Sequence, residues 1–179
     1  MQESSFPSQT TQPKKLAVVI IGRNEGARLL RCLDSIERME QPAGGVECVY
    51  VDTASGDGSA EAMEARGIAV VRLFPDEPSA AVARNAGWRA VSAPFVLFVD
   101  GDCQIEKEFA MQALRWFEDP KVAIVWGRLR EAYPSASLYN RLMHVQWICL
   151  RTLPEGPSFY GTGIGLVRRE ALQSVNGFD

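Results

Sequence analysis

The sharpest chemical signal in the chain is Asp100-Gly-Asp102, which directly follows the apolar run Phe95-Val-Leu-Phe-Val99. Two carboxylates one residue apart can both reach a hard cation, and Gly101 leaves room for a ligand beside the backbone. Mg²⁺ and Mn²⁺ favour oxygen ligands, and Mg²⁺ characteristically takes one or two carboxylates plus substrate phosphates. An ordinary acidic turn is the plain alternative for this short pattern, and its position at the end of an apolar run favours the ligand reading. Asp52 also ends an apolar run, Val46–Asp52, where a carboxylate can accept an N–H of a base. The following Ser55-Gly-Asp-Gly-Ser59 fits turn and cap chemistry, so Asp57 and Ser59 are read as structural. Arg84, beside Asn85, is a solvated helix charge, a cation that holds the carboxylates together, or a pyrophosphate contact. Gly161-Thr162-Gly163 either brings backbone close to a sugar or makes a turn.

Those residues need a frame that gathers them. Leu16–Ile21 is a continuous apolar run, as in strands covered on both faces of a parallel sheet. Residues 25–39 repeat with helical period through Leu29, Cys32, Leu33, Ile36 and Met39, and Asn24 is placed to cap them. Val46–Asp52, Ile68–Leu73, Phe95–Val99 and Val122–Trp126 read as further strands. Between them lie a short helix from Ser59 ended by Gly67, a helix over Ser79–Val91 and another over 106–117. The alternation predicts an α/β fold built on an open, mostly parallel sheet flanked by helices. In such sheets ligands bind beyond the carboxyl ends of the strands. Gly22-Arg23-Asn24-Glu25, Asp52–Asp57 and Asp100–Asp102 all fall at that edge.

Beyond Pro134 the pattern changes. Residues 135–152 read as a helix with two apolar sets, 138/142/145/149/153 and 139/143/147/150. One set suffices to pack on the sheet. The second implies either a deeply buried helix or cover from another segment, a partner copy or a membrane surface. A Gly/Pro-rich loop, Leu166–Arg169 and a short helix follow.

Composition narrows the field. The chain has 179 residues, about one domain at ~150 residues each, and its formal net charge is −3. It lacks the basic excess of a nucleic-acid binder, so no nucleic-acid partner is expected. Its only histidine, His144, and the absence of a C-x-x-C pair argue against zinc. Cys32, Cys48 and Cys149 read as buried thiols of a reducing compartment, and Cys103 as a small packing residue. His144, Trp116, Trp126 and Trp147 are read as packing residues. Residues 1–15 are polar, lack an apolar core and read as a disordered tail. The expected location is cytoplasmic, with residues 135–152 able to make it peripheral at the inner face of the membrane.

Five segments, in order, resemble family 2 glycosyltransferases, nucleotide-sugar enzymes of the GT-A fold. They are Val18–Glu25, Val51–Ser59, Ala83–Gly87, Phe98–Asp102, and Gly165–Leu172 with Gly177-Phe-Asp179. The resemblance covers residues 16–179 and implies a Rossmann-like GT-A domain, with a nucleotide-binding half over 16–104 and the start of an acceptor half over 105–179. It implies that Gly22, Arg23, Asn24, Glu25 and Asp52 hold the nucleotide, with Asp52 on the base, and that Arg84 supports that pocket. Asp100 and Gly101 would lie near the ribose or metal, and Asp102 would bind the Mg²⁺ or Mn²⁺ that bridges the diphosphate. Gly161, Thr162 and Gly163 would line the sugar and acceptor region. The family's Pro-x-Tyr before Asn-Glu is replaced here by Ile21-Gly-Arg23. Its acidic Glu-Asp motif, which supplies the base, falls after Gly-Phe-Asp, so the base is expected beyond Asp179 and the chain reads as truncated there. The implied reaction moves a sugar, from a UDP-sugar by preference, to a hydroxyl of a saccharide or lipid-linked acceptor, with inversion.

Two other readings compete. A haloacid-dehalogenase-type phosphatase carries D-x-D-x-[TV] after its first strand, whereas Gln104 stands at the last position here. A nucleotide-sugar-binding domain without turnover is the non-enzyme alternative. A dinucleotide-binding dehydrogenase is disfavoured because G-x-G-x-x-G is absent after the first strand.

Overall fold

Both faces of the first strand are greasy, and the fold explains why. In the computed structural model, which describes residues 14–151 and 163–179, β1 (Leu16–Gly22) lies inside a six-stranded sheet. Alternate side chains of a strand point to opposite faces. Leu16, Val18 and Ile20 enter one core with Leu29, Leu33 and Ile36 of α1 (Ala27–Glu37), Met63 of α2 (Ser59–Ala65) and Ala110 of α4 (Phe109–Trp116). Ala17, Val19 and Ile21 enter the other, with Ala83 and Trp88 of α3 (Ala80–Ala90) and Leu172 of α6 (Arg169–Ser174). A strand covered twice can carry no polar alternation.

The sheet order is β3-β2-β1-β4-β6-β5, with β2 at Val46–Thr53, β3 at Ala69–Leu73, β4 at Phe95–Asp100, β5 at Ile124–Trp126 and β6 at Ile164–Arg168. The β3-β2-β1-β4 portion is parallel, as the alternation predicts. β6 was not foreseen as a sheet member between β4 and β5, and it runs antiparallel to both. Gly165 makes that pairing fit, since a methyl there would stand 2.7 Å from the Trp126 ring.

The helix punctuation is partly as expected. Ser79 Oγ accepts the Val82 N–H at 3.1 Å and caps α3. Gly67, at φ 76°, ends α2. Asn24 and Ser59 do not cap their helices; Gly26 and Gly58 occupy those positions. Asn24 instead sits at φ 57°, a conformation Asn tolerates. It ties two loops together, donating its N–H to Ser55 Oγ at 2.9 Å and accepting the Gly56 N–H on Oδ1 at 2.8 Å. Ser59 Oγ adds a third tie by accepting the Gly26 N–H at 3.2 Å.

The helix predicted over 135–152 is α5 (Leu138–Arg151), and it corrects the deeply buried reading. Of its two apolar sets, residues 138, 142 and 145 face outward. Leu138, Leu142 and Val145 are exposed, as is Tyr139, while Asn140, Met143, His144 and Trp147 form the half-buried side. Trp116 does not pack either, being half exposed, whereas Trp126 packs at β6. Cys32 is buried and Cys48 half-buried; Cys149's side chain, most of the predicted N-terminal tail, Gly161 and Thr162 lie outside the described residues. Among the described residues no helix is long and apolar enough to cross a membrane.

Candidate active site

The chain winds outward from β1 through β2 to β3, then jumps back to add β4 on the other side of β1. That reversal makes a crevice at the carboxyl ends of β1 and β4, where doubly wound sheets bind ligands. Register does the rest. Gly22 pairs with Asp52, and Ile21 pairs with Asp100, so three chain segments far apart in sequence end on adjacent rungs. A cleft of about 320 Å³ opens there, of the size that small-molecule sites have.

Six predicted site residues line this cleft: Gly22, Arg23, Glu25, Asp100, Gly101 and Asp102. Asn24 lies beside it as the loop tie. Asp52 and Arg84 are not among the lining residues; Arg84 reaches the site through Asp100, and Gly163 lies against Asp100. The sequence reading missed Thr53, Pro78, Ser79, Ala80 and Ala83, which form another part of the wall. Ser79 was legible as a helix cap; its place at the carboxyl edge, after β3, was the available signal that α3 opens onto the same crevice.

Arg84 Nη2 donates to Asp100 Oδ1 at 2.7 Å, an ion pair only partly open to water. Burial pushes the Asp100 carboxyl above its ordinary range; Arg84 pulls it back, and the neighbouring Asp102 charge pushes it up again. Glu25 is likewise raised, chiefly by burial, with Arg28 opposing and Asp102 adding to the rise. Glu25 Oε2 lies 3.0 Å from Arg28 Nη2 yet is buried without an aligned hydrogen bond. Cys103, which contacts Asp102 at 3.6 Å, is pushed up to about 12 by burial and then by the two aspartates, which suits packing rather than nucleophilic attack.

Asp52 is almost fully buried, at 3% exposure. Tyr50 Oη donates to its Oδ1 at 3.0 Å, and the Ser55 N–H donates to Oδ2 at 2.9 Å. These bonds fix the carboxylate at the end of β2 and satisfy much of its charge.

Among the described residues no three Asp, Glu, His or Cys side chains converge as a ready-made metal cage. Asp100 and Asp102 nevertheless fit a hard divalent cation that completes its shell with phosphate oxygens and water. The buried, unaligned Glu25 oxygen beside them adds negative potential at the same point.

A model of the family described as Glycosyl transferase family 2 matches residues 17–175. The chain belongs to that family. The resemblance carried by the five segments thus holds, and this is a glycosyltransferase domain with the GT-A architecture. The phosphatase reading is displaced; its motif belongs after a first strand, and here Asp100–Asp102 follows β4. The Pre-mycofactocin glycosyltransferase of Mycobacterium tuberculosis is 28% identical over 97% of this chain. This chain spans only 37% of that relative's length.

Solved structures share the fold. The mannosyltransferase PcManGT from Pyrobaculum calidifontis, in complex with GDP-Man and Mn²⁺, superposes with a TM-score of 0.71 at 23% identity, covering 94% of this chain and 48% of that one. TarS of S. aureus in complex with UDP-GlcNAc gives 0.65 at 19% identity, covering 90% and 47%. Glucosyl-3-phosphoglycerate synthase of Mycobacterium tuberculosis, with Mn²⁺, UDP and glucosyl-3-phosphoglycerate, gives 0.63 at 23%, covering 90% and 59%.

Proposed function

We propose that this domain binds a nucleoside-diphosphate sugar in the β1/β4 cleft and transfers the sugar to a hydroxyl of a saccharide or lipid-linked acceptor, with inversion. The observation that carries the reading is that Asp100, Asp102 and Glu25 line one crevice, with Arg84 fixed to Asp100 at 2.7 Å. UDP is the preferred nucleotide, with GDP and dTDP next. Of the three structures described above, two contain UDP or a UDP-sugar and one contains GDP-Man.

Asp100 and Asp102 would hold Mg²⁺ or Mn²⁺, whose charge stabilises the departing nucleoside diphosphate. The remaining roles belong to the chain. Asp52, immobilised by Tyr50 and Ser55, accepts a base N–H. Gly22–Glu25 lines the nucleotide, with Asn24 holding that loop against Ser55 and Gly56. Arg84 keeps Asp100 ionised and aimed. Gly163, set against Asp100, is assigned to the sugar side. The general base that removes the acceptor proton is assigned beyond Asp179, as the order of the family's motifs implies.

Calorimetry with UDP, GDP and dTDP, each with and without Mn²⁺, tests the donor half. UDP binding that strengthens with Mn²⁺ supports the proposal; equal, metal-indifferent binding of all three defeats it. Robust transfer by residues 1–179 alone would move the base inside this chain, and saturable nucleotide-sugar binding without transfer by a longer chain would favour the binding-domain reading.

A further inference from the structure

The segment after α6, Gly177-Phe178-Asp179, lies in no strand or helix of the described fold, yet it is fastened from two sides. The Asn85 side chain of α3 donates through Nδ2 to the Phe178 carbonyl at 2.7 Å and accepts the Phe178 N–H on Oδ1 at 2.9 Å. Trp88 Nε1 donates to the same Oδ1 at 3.1 Å, which fixes which end of the amide carries the oxygen. One side chain thus satisfies both backbone groups of one residue, as a neighbouring strand would. Gly177 allows the approach, because at φ 98° it holds a conformation that other residues rarely adopt and a methyl on it would collide with Asn85 Oδ1.

The clamp aims a ring. Phe178 meets Phe98 of β4 edge-on, with centroids 5.2 Å apart and planes at 89°. On its other side the Arg84 guanidinium lies 6.0 Å from the Phe178 centroid, within cation–π range. Arg84 is the residue that donates to Asp100 Oδ1. Left on its own, a long arginine side chain explores many rotamers, and holding it in one costs entropy. A fixed aromatic ring beside it removes much of that freedom.

We propose that Asn85 and Phe178 are positioning residues that hold Arg84 on Asp100 and thereby set the geometry of the Asp100/Asp102 pair. This rests on the reading of that pair as the metal and diphosphate site. Neither residue touches the substrate; both act through the arginine. The sequence places the clamping amide and the clamped cation next to each other on α3, so a shift of Phe178 is transmitted within one helical turn.

The test compares Phe178→Leu, Phe178→Tyr, Asn85→Ala and Arg89→Ala in the whole chain. Arg89 holds the same terminal segment at Asn176, donating to its carbonyl at 3.1 Å, and reaches Asn85 only at the backbone carbonyl, at 3.1 Å, leaving the clamping amide alone, so it controls for simple loosening. Two readouts are used: the ratio of UDP affinities with and without Mn²⁺, and binding of Mn²⁺ alone by electron paramagnetic resonance. Phe178→Leu and Asn85→Ala are expected to lower the Mn²⁺ ratio roughly fivefold, Phe178→Tyr to restore it, and Arg89→Ala to lower the unfolding midpoint with the ratio intact. A ratio unchanged in Phe178→Leu but lost in Arg84→Ala overturns the positioning role and leaves the proposed function standing. If the parent chain shows no Mn²⁺ effect at all, the functional reading fails. The contact is then judged by a double-mutant cycle of Phe178→Leu with Arg84→Ala in denaturant unfolding, where additivity overturns it and coupling sustains it.

Discussion

Gly163 lies directly against Asp100: its carbonyl accepts the Asp100 N–H at 2.9 Å, and a methyl placed on its Cα would stand 2.5 Å from Asp100 Oδ2. The antiparallel pairing of β6 with β4 creates this approach, because Ile164 is registered opposite Val99. Gly163→Ala therefore has to turn the Asp100 carboxylate away from its place. Since the clash is with the end of a side chain, the fold survives. Mn²⁺-dependent UDP affinity is expected to fall by roughly tenfold, ~1.4 kcal/mol, with the unfolding midpoint little changed. Unaltered affinity by calorimetry would mean that Asp100 is not needed in its present orientation.

Asp102 is exposed at the cleft mouth and supports no core packing. Asp102→Asn keeps its size and removes one hard anionic ligand. Nucleotide binding in the presence of Mn²⁺ is expected to weaken by more than tenfold, ~1.4 kcal/mol or above, while binding without metal changes far less. Equal affinity for UDP with Mn²⁺ in variant and parent would sink the assignment of the Asp-x-Asp pair.

Asp52→Ala separates base reading from turn building. Its carboxylate is buried against Tyr50 and Ser55, so removal takes an acceptor from both the Tyr50 hydroxyl and the Ser55 N–H and costs about 1–3 kcal/mol of stability. If Asp52 also reads the base, the variant loses its preference among UDP, GDP and dTDP more than it loses Mn²⁺ response. A uniform loss across the three nucleotides would reduce Asp52 to a structural anchor.

How far the sequence carried these assignments depended on range. β1, β2 and β4 were legible because burial on both faces leaves an unbroken apolar run, and the chemistry followed from their carboxyl ends. Ser79 and Gly67 were legible because caps act within a turn. Asn24 misled because it has the right type at the right offset, yet its side chain binds a loop 32 residues away. The Arg84–Asp100 pair and the Asn85–Phe178 clamp span 16 and 93 residues and exist only because α3 packs across β1 and β2. The direction of β6 was hidden for a related reason: a strand as short as Ile164–Arg168 does not state which neighbour it pairs with.

Arg169 shows the same long reach in the service of stability. Its Nε, Nη1 and Nη2 donate to the carbonyls of Ala93, Trp88 and Val91 at 2.7, 3.0 and 2.6 Å, closing the end of α3 and the turn into β4. Arg169→Ala leaves these carbonyls without their charged donor. The expected loss is roughly 3 kcal/mol in denaturant unfolding, given about 1.5–3 kcal/mol for a hydrogen bond to a charged group. Arg169→Lys recovers little, since one ammonium cannot reproduce the fork of the guanidinium. A near-neutral Arg169→Ala would show that water replaces the guanidinium at no cost.

α5 provides a stability test of its unexpected orientation. An amphipathic helix that packed 138/142/145 on the sheet would lose about 2–5 kcal/mol when one of those leucines was truncated. Leu142 is instead 62% exposed, next to exposed Leu138 and Val145. Leu142→Gln is therefore expected to shift the unfolding free energy by no more than ~0.5 kcal/mol, the range of ordinary surface changes. Leu33→Ala, at a site 1% exposed in the α1 core, serves as the buried comparison and is expected to cost about 2–5 kcal/mol. If Leu142→Gln proves as costly as Leu33→Ala, the leucine face of α5 is covered in the folded protein, and the half-buried Met143/Trp147 side is not the only one it packs.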